Sequence, residues 1–108
     1  MRRLILGLLL VVVLAPAQGS KKFTGKITDS MCATADHSGM RMGPTEAECT
    51  LACVSAHGAL FVLYDGKDVY SLSDQKAPEK FAGNRVTVTG ALDAKTKTIQ
   101  VSSITAAN

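Results

Sequence analysis

Phe81-Ala82-Gly83-Asn84-Arg85-Val86-Thr87-Val88-Thr89-Gly90, answered by Thr98-Ile99-Gln100-Val101, is the stretch whose pattern decides the fold. Val86 and Val88 alternate with Arg85, Thr87 and Thr89, a period of two that marks a strand with one buried face. A turn over Asp93 to Lys97 sends the chain back, so Thr98–Val101 pairs with that strand. Upstream the same period holds. Ala59-Leu60-Phe61-Val62-Leu63-Tyr64 is predicted as a buried strand, Asp65-Gly66 as a hairpin turn of the I′ type, and Asp68–Leu72 as its antiparallel return. Tyr64 and Tyr70 are then expected as a cross-strand pair. Between the two hairpins, Ala77–Ala82 opens with Pro78 and predicts a short helix. The tail from Thr105 to Asn108 is expected to fray.

Toward the N-terminus the pattern changes. Phe23–Thr28 predicts a first strand with Phe23, Gly25 and Ile27 on one face. Asp29 to Pro44 is a polar loop containing Gly and Pro. Thr45-Glu46-Ala47-Glu48 is a capping-box signature, with Thr45 as N-cap and Glu48 at N3, and Gly58 suits the C′ position. A helix of about three turns is therefore expected from Glu46 to about His57. The resulting fold class is mainly β. Five strands form a small OB-like barrel, with one helix inserted between strands 1 and 2 and a short helix between strands 3 and 4.

The first residues set the chemical context. Arg2 and Arg3 precede an apolar run from Leu4 to Leu14, followed by Ala15-Pro16-Ala17. A basic start, a short apolar core and an A-x-A site predict a signal peptide over residues 1–17, leaving a single domain over 18–108. The apolar run is too short for a membrane anchor, since a spanning helix needs roughly 20 residues. The whole chain carries a formal charge of +3, but removing Arg2 and Arg3 leaves ten basic against nine acidic residues. A near-neutral chain without a basic stripe is not expected to bind nucleic acid. Five aromatic residues offer little stacking surface for oligosaccharides. The expected location is periplasmic or secreted, with no stable membrane span after cleavage and with an unidentified protein or small-molecule partner.

Cys32, His37, Cys49 and Cys53 fall within 22 residues, and they are the part of the sequence that points to chemistry. At about 100° per residue, Cys49 and Cys53 lie about 40° apart on one face of the helix. Ala47, Leu51 and Val54 form a separate stripe, expected to be the core face. The cysteine face is then free to meet the loop that carries Cys32 and His37. Cysteines spaced i, i+4 suit two ligands of one metal ion and suit a disulfide between themselves poorly. One reading is a Cys₃His metal set, holding zinc tetrahedrally or copper(I) through soft sulfur. Met31, Met40 and Met42 share the loop and would suit copper(I), but ordinary loop or core packing is the favoured reading of them. The other reading is a disulfide from Cys32 to Cys49 or Cys53, stapling the loop to the helix and leaving one spare thiol. His57, beside Gly58, reads as a solvated helix-end residue.

Enzyme readings have less behind them. Cys32, His37 and Asp36 can be drawn as nucleophile, base and orienting group. They are neighbours in one irregular loop, however, and no C-x-x-C redox motif or phosphate-cradling Gly loop accompanies them. Asp29, Asp65, Asp68 and Asp93 read as turn and strand-edge residues. A non-catalytic role is therefore expected.

Asp29-Ser30-x-Cys32, His37, Cys49-x-x-x-Cys53, Gly58 and the final hairpin together resemble a family of small secreted bacterial OB-fold-like proteins of uncharacterised function. The resemblance covers nearly all of the chain after the signal segment. It implies a fold and no activity. The helix between strands 1 and 2 departs from a standard OB-fold, which has a loop at that point.

Overall fold

Period-two hydropathy and β-branched residues place five strands in one sheet. A computed structural model describes residues 19–107 of the chain; the predicted signal segment lies outside the described residues. The strands are β1 (Lys21–Asp29), β2 (Phe61–Tyr64), β3 (Val69–Leu72), β4 (Arg85–Asp93) and β5 (Thr98–Ala106). Helix α1 (Glu46–His57) lies between β1 and β2, and a 3₁₀ turn (Ala77–Phe81) lies between β3 and β4. The strands close in the order β1-β2-β3-β5-β4, and β4 returns to β1. All pairings are antiparallel except β3 with β5, which run parallel through Ser71–Thr98 and Leu72–Ile99. The molecule is thus a five-stranded OB-like barrel with its helix where the sequence predicts it. Among the described residues no helix is long and apolar enough to cross a membrane.

Ile27, Phe61, Leu63, Leu72, Ala82, Val86, Val88 and Ile99 fill the barrel. Val86 and Val88 face inward as their alternation requires, and Ile99 meets them from β5. Phe23 and Tyr70 extend this core, their ring centroids 5.3 Å apart.

Several expectations are corrected. β2 begins at Phe61; Leu60 is outside it and exposed. The β2–β3 turn is centred on Gly66-Lys67, where only Gly66 has positive φ, and an I′ turn needs two such residues. Asp65 Oδ1 accepts instead from the N–H groups of Lys67 (2.8 Å) and Asp68 (2.7 Å). Tyr70 stands opposite Leu63, and Tyr64 opposite Val69, so the two tyrosines are not a pair. The tail does not fray at Thr105: Thr105 pairs with Thr87, and Ala106 with Val86.

Helix α1 has the caps its sequence predicts. Thr45 Oγ1 accepts from the Glu48 N–H at 3.1 Å, and Gly58 takes the left-handed conformation with φ 67°. Its inward face is only partly the apolar stripe: Val54 packs against the core, but the most deeply buried positions are others. Cys49, Thr50 and Cys53 are buried, whereas Leu51 is exposed. The cause is what the helix meets: it packs on β1, at whose end Thr28 and Asp29 are fully buried. Thr50 Oγ1 is buried there with no hydrogen-bond partner among the described residues. Gly83 fixes the helix from the other side. Its φ is +74°, and a Cβ there would lie 2.7 Å from the Ala47 nitrogen.

Candidate metal centre

Asp29, the last residue of β1, organises the loop that follows it. Its Oδ1 accepts from the N–H groups of Met31 and Cys32, both at 3.0 Å. This is an Asx-type turn, in which a short carboxylate satisfies backbone donors that the strand no longer pairs. Thr28 Oγ1 donates to the Cys32 carbonyl at 3.0 Å, and the Ala35 N–H donates to the same oxygen at 2.9 Å. The polar loop thereby folds back over the end of the barrel and over the inner face of α1.

That fold brings His37 inside. It is fully buried, with Nε2 2.5 Å from Asp29 Oδ2 and Nδ1 hydrogen-bonded to Glu46 Oε2. Glu46 opens α1, and its side chain is one-third exposed. Burial works to lower the pKa of His37, but the bonds to Glu46 and Asp29 outweigh it and hold the imidazole above its ordinary value. An imidazolium between two carboxylates donates to both. The arrangement calls for a positive charge at Nε2, which a proton or a metal ion can supply.

Cys53 completes the group. Asp29, His37 and Cys53 each offer one ligand atom, and these atoms all lie within 4.8 Å of one another. All three residues are fully buried. Burial first, then Asp29, pushes the Cys53 thiol up from its ordinary value. Burial first, then the carboxylates of Asp29, Glu46 and Asp36, does the same to Cys32. Thiols held protonated are poor nucleophiles at neutral pH, whereas a bound cation drives off the proton and binds the thiolate.

Of the four residues singled out by sequence, the structure brings His37 and Cys53 into this tightest group. Cys32 and Cys49 are outside it. Cys32 is half-buried beside it, and Cys49 is buried with its Sγ donating to the Gly43 carbonyl at 3.2 Å. Among the described residues no disulfide joins the three cysteines. Asp36 does not orient His37, because its carboxylate accepts from the Ser38 N–H at 2.9 Å. His57 is exposed at the helix end. Asp29 and Glu46 are the members that sequence reasoning missed. In the sequence Asp29 reads as a turn residue three positions before Cys32, and Glu46 reads as a first-turn acid.

The fold and the cluster define a small OB-like barrel with a buried Asp/His/Cys group beneath its first loop. The chain belongs to the family DUF5818, proteins of unknown function, whose pattern it matches over residues 54–107. That match covers β2 to β5 and begins one residue after Cys53. No curated protein and no solved structure matches the chain.

Proposed function

We propose that this protein is an exported metal-binding module that holds one thiophilic ion, zinc or copper(I), in a non-catalytic centre of Asp29, His37 and Cys53, with Cys32 and Cys49 as adjoining thiol donors. The observation that carries this reading is the convergence of three buried ligand atoms within 4.8 Å. Glu46 supports it. A metal-bound histidine ordinarily gives its second ring nitrogen to a carboxylate, and Glu46 on Nδ1 leaves Nε2 facing Asp29 and the ion. Export rests on the signal-like segment and on the resemblance to small secreted bacterial OB-like proteins. A binding or structural role fits thiols that burial keeps protonated.

Titration of the reduced protein with Zn(II) and with Cu(I), each against a chromophoric chelator, tests the centre. One ion per chain is expected, and His37→Gln and Cys53→Ser should each weaken binding by at least about tenfold. Glu46→Gln, which keeps a hydrogen-bond partner on His37, should fold normally and still weaken binding. Variants that bind as the parent does would contradict the reading. The competing arrangement, a disulfide from Cys32 to Cys49 or Cys53 with one spare thiol, would appear as a single titratable thiol in unreduced protein.

A further inference from the structure

Lys26 stands between two partners in the sheet: Tyr64 lies opposite it on β2, and Arg85 opposite it on β4. Its neighbours Gly25 and Ile27 turn into the barrel, so Lys26 turns out. Directly opposed residues share a face, and Tyr64, Lys26 and Arg85 therefore form one row across the outside of the barrel. Both cations are exposed. Among the described residues, ion pairs join His37 to Asp29 and Glu46, and Lys97 to Asp68, but neither Lys26 nor Arg85 has a carboxylate within 4.0 Å. Like charges set directly opposite each other destabilise a sheet, so the row costs stability until an anion joins it. The row also lines a cavity of about 290 Å³. Thr34 and Ala35 wall it from the loop after β1, and Asp65 and Gly66 from the β2–β3 turn. Ala35 has a φ of 59°, a strained left-handed conformation of the kind that gathers at ligand clamps. Asp65 is the one acid among the described lining residues, and its Oδ1 is already occupied by the N–H groups of Lys67 and Asp68.

We propose that this cavity binds a small-molecule oxyanion, a carboxylate or phosphate group held between Lys26 and Arg85. Arg85 offers a planar fork that takes two oxygens of such a group, and Lys26 places a compact charge beside it. About 290 Å³ is the small end for a ligand pocket, so the ligand is that group on a body of a few atoms. No residue lining the cavity is a donor of the Asp29/His37/Cys53 group, and the site stands whether or not an ion is bound there.

Inorganic phosphate and acetate are the probes, each titrated into the isotope-labelled protein against chloride at equal ionic strength. The amide resonances of Lys26, Thr34, Ala35 and Arg85 should shift saturably with one or both anions, and the tighter of the two names the group. Lys26→Gln/Arg85→Gln should weaken that binding at least about tenfold, since it removes both charged donors. In chloride the double variant should be no less stable than the parent, because it relieves the like-charge pair. The binding anion should raise the unfolding temperature of the parent and leave that of the variant unmoved. Shifts that do not saturate with either anion, or that the double variant shows undiminished, would overturn the site. A double variant clearly less stable than the parent in chloride would overturn it as well, by making the row a structural feature.

Discussion

At the scale of single residues, Asp29 carries the most. One carboxylate oxygen ends β1 by accepting from two backbone N–H groups, and the other holds His37. Asp29→Asn retains an oxygen for the turn and removes the charge. It should leave the fold intact and reduce metal affinity by about 10- to 100-fold, read by chelator competition. Asp29→Ala removes both functions and should cost about 3 kcal/mol in urea unfolding, near the low end for breaking a buried ion pair, because His37 can deprotonate and keep its bond to Glu46. An Asp29→Ala protein as stable as the parent would show that the network is incidental. Clustered Cys and His residues drew attention to Cys32, His37, Cys49 and Cys53, and the structure gathers His37 and Cys53 of these with Asp29. Asp29 was legible only as a turn former, which is half of what it does. Its bond to His37 spans eight residues of irregular loop, and no periodicity encodes that contact.

At the scale of elements, α1 shows what local signals can and cannot reveal. Its ends were readable, since Thr45 and Gly58 act through their own backbone neighbours. Its buried face was readable only in part: hydropathy selects Val54, which packs on the core, but also Leu51, which is exposed, while Cys49, Thr50 and Cys53 are buried where the helix meets β1. Two glycines separate the effects that hold the helix. At Gly58 a Cβ meets nothing within 4 Å, so Gly58→Ala should cost only the left-handed strain, about 1 kcal/mol. Gly83→Ala adds a collision with the backbone of Ala47 to the same strain. It should cost clearly more in urea unfolding and also weaken metal binding by displacing α1. Equal costs at the two positions would contradict this docking. The 3₁₀ turn gives an acid-dependent test. Asp74 Oδ1 accepts from the N–H groups of Lys76 (2.8 Å) and Ala77 (3.1 Å), and these bonds hold its carboxyl below the usual range. A depressed pKa gives stability that is fully present above the ordinary carboxylate value and lost as pH falls through the lowered one. Asp74→Asn, which keeps the accepting oxygen, should flatten the acid limb of the stability curve and leave neutral pH little changed.

At the scale of the whole molecule, the barrel is held shut by β5, which pairs with β4 along its length and with β3 at its start. The ladder passes from Gly90–Val101 to Thr89–Ser103, leaving Ser102 as an extra residue. Such a bulge reverses the inward phase, so the alternation of Ile99 and Val101 gives way to Ile104. A period-two pattern therefore stops at Val101, and this is why the sequence suggested a fraying tail. The parallel β3–β5 contact is likewise invisible to any local pattern. Ending the chain after Ser103 should lower the unfolding midpoint, because it removes Ile104 from the core edge and opens the Val86–Ala106 and Thr87–Thr105 pairs. An unchanged midpoint would mean that closure does not depend on this end of β5.

The barrel supplies the frame, and the loop and α1 enclose the group on which the chemistry rests. The most direct measurement is the intact mass of the natively purified protein under native and then denaturing conditions, with thiols counted in chelator. A native mass higher by one metal ion, with three free thiols after denaturation, is the expected result. A mass two hydrogens light, with one free thiol and no metal, would contradict the metal centre and make the cysteines a staple.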